Sequence, residues 1–107
     1  MKSITVFYNI ATDIEIMELL AELGVREFSK FPRTSGKGLV SGPRLDDHVW
    51  PGYNATLVMV VADAEARKIM SALQKFRDGP IGHTGIFAYQ TAVESVLAAP
   101  APNGKNP

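Results

Sequence analysis

The sequence predicts an α+β domain with its elements in the order β-α-β-β-α-β. Two observations predict it. Each half of the chain runs strand, helix, strand by hydrophobic spacing, and a long segment without periodicity, residues 33–52, separates the halves. Residues 4–9 (ITVFYN) are rich in β-branched and aromatic side chains and read as the first strand. Thr12 is the expected N-cap, with Glu15 three residues on completing a capping box. Ile16, Leu19, Leu20 and Leu23 follow at helical spacing, and Gly24 stands where a left-handed C′ residue is wanted. Residues 25–31 (VREFSKF) alternate less strictly and form the second strand, stopped by Pro32. The order then repeats. Residues 53–62 (YNATLVMVVA) are the third strand, Asp63 is the next N-cap, and Ala66, Ile69, Met70, Leu73 and Phe76 trace the second helix. Residues 86–91 are the last strand, which can continue to Val93.

Right-handed crossovers put both helices on one face of a four-stranded antiparallel sheet, a ferredoxin-like βαββαβ sandwich. Residues 1–97 form this single domain. The tail 98–107 (AAPAPNGKNP) buries no core face and is expected to be disordered. Residues 57–61 (LVMVV) are apolar on both strand faces, and Phe7 shares the first strand with Ile4, Val6 and Tyr8. A half-solvated antiparallel sheet should alternate apolar with polar. The helices cover one face only, so the other is expected to be buried in a homo-oligomer.

Composition excludes several classes. Lys+Arg and Asp+Glu balance at 11 each, so the electrostatic footprint of a nucleic-acid binder is missing. With no cysteine there is neither a disulfide nor a thiolate metal site. No apolar run approaches the length of a membrane span, and the N-terminus lacks signal-peptide architecture, so a cytoplasmic protein without direct membrane insertion is expected.

Residues 77–87 (RDGPIGHTGIF) are the most informative stretch. Gly79, Gly82 and Gly85 fall three apart between a helix and a strand. Such a loop is either a tight connection or a cradle whose backbone N–H groups approach an anion. His83 reads either as a turn residue or as an imidazolium hydrogen-bonding an anion, or as a metal ligand shared with another subunit. Asn9 is either a turn residue or a cleft residue. The helices differ in charge: Asp13, Glu15, Glu18 and Glu22 mark the first, Arg67, Lys68, Lys75 and Arg77 the second. These are solvated faces, or the basic end near Arg77 walls an anion site.

The segment 33–52 (RTSGKGLVSGPRLDDHVWPG) is too long for an ordinary hairpin connection, and long loops are usually functional. It carries Arg33, Lys37, Arg44, Asp46, Asp47, His48 and the only tryptophan, Trp50. Asp46, Asp47 and His48 offer oxygen and imidazole donors to a divalent metal, although contiguous residues rarely converge on one ion. Trp50 is an anchor or a partner contact. Near Gly36-Lys37-Gly38 the chain still extends the second strand as a ribbon.

The chain resembles the PII-like signal-transduction superfamily as far as about residue 96. Residues 19–25 (LLAELGV) are similar to that family's ALAEIGV segment, and Lys37-Gly38 falls where the family starts its T-loop. Arg77, Gly79, Ile81, Gly82, Ile86 and Phe87 match its RTGxIGDGKIF loop without a gap, and Ala92-Val93-Glu94 resembles its PVE. The resemblance implies a homotrimer of ferredoxin-like subunits with no chemistry of its own. A small effector would bind in clefts between subunits, through Arg77, Gly79, Ile81, Gly82, His83, Thr84, Gly85, Lys37 and Gly38. The loop 33–52, with Arg44, Asp46, Asp47 and Trp50, would contact a membrane transporter or an enzyme. The departures bear on the ligand. The family's phosphate-neutralising lysines are Pro80 and Gly85 here, and its aspartate and glycine are His83 and Thr84. A triphosphate needs several compensating cations, so a less charged nucleotide, a carboxylate or bicarbonate suits this loop better. The family's modifiable tyrosine is absent from the middle of the long loop, Tyr53 lying at its end. Two alternatives come from other classes. One is a metal-responsive trimer similar to the CutA or metal-efflux-associated proteins, using His48 or His83. The other is a cofactor-free ferredoxin-like monooxygenase built from Asn9, His83 and Trp50, against which stands the lack of a recognisable nucleophile–base pair.

Overall fold

The computed structural model describes residues 1–38, 42–44, 52–81 and 85–98. Strand β1 (Lys2–Asn9) leads through a 3₁₀ turn (Ile10–Thr12) into helix α1 (Asp13–Glu22). Strand β2 (Ser29–Thr34) follows, then a short ribbon of β3 (Gly36–Gly38) and β4 (Gly42–Arg44). Strand β5 (Asn54–Val61), helix α2 (Asp63–Asp78) and strand β6 (Ile86–Ala92) are the remaining elements among the described residues. The sheet order is β2-β5-β1-β6, all antiparallel. This is the predicted βαββαβ order, with the ribbon standing outside the four-stranded sheet.

Strand alternation sorts the core. Ile4, Val6 and Tyr8 of β1 and Ala55, Leu57, Met59 and Val61 of β5 point to the helices. There they meet Ile16 and Leu20 of α1 and Ala66, Ile69 and Leu73 of α2. Both predicted helical stripes are therefore core-facing, and each large aliphatic side chain buried here contributes roughly 1.5–3 kcal/mol.

Several boundaries differ from expectation. The second strand begins at Ser29, because the N–H groups of Gly24 and Val25 donate to Ala21 and Leu20 (both 3.0 Å) and close α1 in a Schellman motif. Gly24 takes φ +81°, as its position demanded. Pro32 does not stop β2. The strand lies at the sheet edge, where a missing donor is tolerated, and its pairing with β5 shifts register between Phe31 and Thr34. Thr12 does not cap α1 by its side chain; its Oγ1 donates to the Asn9 carbonyl (2.8 Å). Asn9 caps the preceding 3₁₀ turn instead, accepting from the Ala11 N–H (3.0 Å). Asp63 is the first residue of α2 rather than its cap, and its carboxylate pairs with the N-terminal ammonium (2.9 Å).

The opposite sheet face carries Phe7, Phe87 and Tyr89, whose rings lie 6.2–6.5 Å apart between centroids. Phe87 is 64% exposed, Phe31 54%, Tyr89 44% and Val60 42%. This face is apolar as expected, and no element of the chain covers it among the described residues.

A polar network ties α1 to the sheet. Asp13 accepts from Tyr8 Oη (2.5 Å) and pairs with Lys30 Nζ at 2.7 and 2.9 Å. Burial pushes the Asp13 carboxyl up, but the hydrogen bonds from Lys30 and Tyr8 and the Lys30 charge outweigh it and hold the group below the usual range. Burial, then the bond to Asp13 and its charge, drive the Tyr8 phenol well above its ordinary value. A carboxyl depressed in the folded state contributes stability that is present above its unfolded pKa of about 3.9 and lost as pH falls through the folded value. Acid unfolding of the wild type should therefore steepen below about pH 4. Asp13→Asn should flatten that limb, and Lys30→Met should cost about 1–2 kcal/mol at pH 7 by urea titration.

Candidate functional site

The antiparallel order gathers the informative loops at one end of the sheet. β1 ends there at Asn9, β5 and β6 begin there at Asn54 and Ile86, β2 ends there at Thr34, and α2 arrives there at Asp78. The Asn9 N–H donates to the Gly85 carbonyl (3.3 Å) and the Ile10 N–H to the Tyr53 carbonyl (3.2 Å). The end of the glycine loop and the end of the long segment 33–52 are thus stitched to the same 3₁₀ turn. Of the two readings of Asn9, its backbone and side chain both serve this turn.

The glycines play different parts. Gly85 has φ +111°, which side-chain-bearing residues rarely adopt. Gly79 is extended (φ −84°, ψ 179°), its N–H donates to the Phe76 carbonyl (3.1 Å), and a Cβ there would lie 3.3 Å from that same oxygen. Its role is to stop α2 tightly. At the other loop root, a Cβ on Gly36 would lie 2.9 Å from Asn54 Nδ2. Thr34 and Thr56 hydroxyls bond at 3.1 Å, and the Arg33 guanidinium sits 4.2 Å from the centre of the Tyr53 ring.

Arg77 is exposed, with Nε on Asp78 Oδ1 at 3.0 Å, and Ile81 is exposed nearby. Lys37 pairs with Pro43 across the ribbon, and Gly38 with Gly42. The structure does not bring these two groups together by strand adjacency. β2 and β6 are opposite edges, three strand spacings or about 14 Å apart. Arg44 ends β4. Gly82, His83, Thr84, Asp46, Asp47, His48 and Trp50 lie outside the described residues, and with them both proposed metal ligands.

One feature escaped sequence reading. A groove of roughly 650 Å³ runs between α2 and the outer edge of β6. Arg67, Ser71, Gln74 and Arg77 wall it on the helix side, and Ile86, Phe87, Ala88 and Gln90 on the strand side. The helical spacing of 67, 71, 74 and 77 was available in the sequence. A mixed polar and basic stripe, however, is indistinguishable there from a solvated face.

No family model and no curated protein sequence matches the chain. Solved structures do. CPII, a nitrogen regulatory PII-like protein from Thiomonas intermedia K12 bound to ADP, AMP and bicarbonate, superposes with a TM-score of 0.66 at 18% identity, over 88% of each chain. A protein of Thermus thermophilus assigned to PII-like signalling gives 0.57 at 21% identity, over 84% of this chain and 83% of that one. The apo form of CPII gives 0.61 at 18% identity, over 86% and 89%.

The chain has the PII-like fold.

Within the PII-like fold, the two helices, the four strands and their antiparallel order account for every long element described. Among the described residues no helix is long and apolar enough to cross a membrane. The positive φ at Gly85 sets a direct test of the loop's exit. Gly85→Ala should destabilise the fold by about 1–3 kcal/mol through backbone strain, read from the thermal or urea midpoint. Gly79→Ala, whose backbone is extended, should cost less.

Proposed function

We propose that the protein is a non-enzymatic PII-like regulator that binds a small effector at the glycine-loop end of its sheet, in clefts between copies of itself. The observation that carries this reading is the convergence, in a PII-like fold, of the exit of the glycine loop and the root of the long segment 33–52 on one 3₁₀ turn. CPII, which shares the fold, is bound to ADP, AMP and bicarbonate. Ligation at Gly82, His83, Thr84 and Gly85 is linked to segment 33–52 by a short main-chain hydrogen-bonded path, because Gly85 and Tyr53 accept from consecutive residues, Asn9 and Ile10. An effector held by one loop biases the other, and a transporter or enzyme contacting Arg44, Asp46, Asp47 or Trp50 senses the change.

Two observations support a homo-oligomer, a trimer by the resemblance. The Phe7–Phe87–Tyr89 face is large and apolar, and exposed patches of this kind mark interaction surfaces. The loop root at Lys37 and the glycine loop leave from opposite sheet edges. A ligand touching both is most simply held where two copies meet.

The charge of the loop selects the ligand. Arg77 is its one cation, and Pro80 and Gly85 stand where the family has lysines. Mono- and diphosphate nucleotides or bicarbonate are preferred over a triphosphate, for which compensating charge is short. Titration calorimetry with AMP, ADP, ATP and bicarbonate tests this directly. AMP or ADP should bind at least tenfold more tightly than ATP, and Gly82→Val should abolish binding while leaving the oligomer intact. Unchanged binding in that variant would remove the loop from the site. Zinc or copper binding lost in His48→Ala or His83→Ala would favour the metal-responsive reading instead.

A further inference from the structure

The root of segment 33–52 is irregular on its β2 side. Phe31 pairs with Thr56 and Thr34 with Asn54. Two residues of β2, Pro32 and Arg33, therefore stand against Ala55 alone. An extra residue of this kind is a β-bulge, which re-aims side chains and is frequent beside binding sites. On the β5 side of the root, Gly52 takes φ +94° immediately before Tyr53. Bulge and turn bring the two ends of the segment together. The Arg33 guanidinium carbon lies 4.2 Å from the centre of the Tyr53 ring. Arg33 is nonetheless exposed, and Tyr53 is half-buried.

This cation stands at the effector end of the sheet, because β2 ends there at Thr34. The proposed cleft sets the β2 root of one copy beside the glycine loop of another, whose one cation is Arg77. A phosphomonoester carries about −1.5 to −2 charges at pH 7, more than a single guanidinium offsets. A second cation is therefore wanted on the opposite wall. The two possible partners of Arg33 are unequal. An exposed guanidinium is held weakly on a ring, whereas phosphate offers it paired, charge-assisted hydrogen bonds. The phosphate wins that competition.

We propose that Arg33 is a phosphate ligand of the effector site, contributed by the neighbouring copy and resting on the Tyr53 ring until a nucleotide phosphate draws it away. The assignment rests on the effector reading above and adds to it the residue that senses the phosphate. While Arg33 lies on Tyr53 it is unavailable to the ligand, and the apparent affinity falls in proportion. Binding in turn removes a contact that joins the two ends of segment 33–52. The released Tyr53 keeps its carbonyl on the Ile10 N–H, so the change starts at the 3₁₀ turn shared with the glycine-loop exit. Two guanidinium groups match a nucleoside monophosphate and leave a triphosphate short of charge.

Calorimetric titration of the full-length protein with AMP, and with adenosine as the phosphate-free control, tests the proposal. Arg33→Gln should weaken AMP roughly tenfold or more and leave adenosine within about twofold of wild type. Tyr53→Leu should act the other way and tighten AMP about two- to fivefold, because the competing ring is gone. Tyr53→Phe keeps the ring and should match the wild type. In the NMR spectrum the Arg33 side-chain Nε–H should carry a ring-current shift that saturating AMP removes and Tyr53→Leu abolishes. AMP affinity unchanged in Arg33→Gln, with the wild type binding AMP, would overturn this assignment and leave the effector reading standing. Equal weakening of AMP and adenosine, or a changed oligomeric mass of Arg33→Gln, would make the residue structural and overturn it too. So would weaker AMP binding by Tyr53→Leu. A wild type that binds neither compound would defeat the nucleotide reading and this assignment together.

Discussion

Burial of Ile4, Val6 and Tyr8 of the central strand beneath α1 and α2 is the interaction on which the other elements depend. Each of these side chains is fully buried, and the strand that carries them pairs with β5 on one side and β6 on the other. A one-residue slip of β1 would turn all three to the open face. The register is therefore fixed, and with it the position of Asn9 at the end of the strand. From that position Asn9 and Ile10 hold the exits of both informative loops through main-chain bonds. The site end of the molecule is a consequence of core packing on the helix side.

The same alternation explains the other face. Placing Ile4, Val6 and Tyr8 inward forces Thr5 and Phe7 outward, beside Phe87 and Tyr89. One helical layer covers only one side of a sheet, so the aromatic cluster stays open among the described residues. The Asp13–Lys30–Tyr8 network serves a different end. It ties the start of α1 to the edge strand β2, from which the ribbon and the long loop depart. The signalling proposed for that loop needs a fixed root, and this partly buried ion pair supplies one.

Much of this was legible in the sequence. The helical stripes and the positive φ of Gly24 follow from spacing and capping rules, and so does the apolar second face. The misplaced boundaries have local causes. Val25 is consumed by the helix stop, a hydrogen-bond pattern that composition does not reveal. Pro32 reads as a terminator because its place at the sheet edge is a property of the topology. Thr12 and Asp63 have cap-forming side chains, but a 3₁₀ turn and the N-terminal ammonium draw them into other bonds. At the candidate site, the glycine spacing in residues 77–87 is informative, yet it does not separate Gly79, which packs, from Gly85, which needs its backbone freedom. The α2–β6 groove is invisible in the sequence because its residues come from two elements brought together only by folding.

The account makes effector binding depend on assembly through the open face. Light scattering and nucleotide calorimetry on a V60D/Y89D double variant test that dependence most directly. Both substitutions lie on the aromatic side, away from the Gly85 end of the sheet. The account predicts a folded protein of single-chain mass that no longer binds AMP or ADP. A folded single chain that binds either nucleotide with wild-type affinity would contradict it.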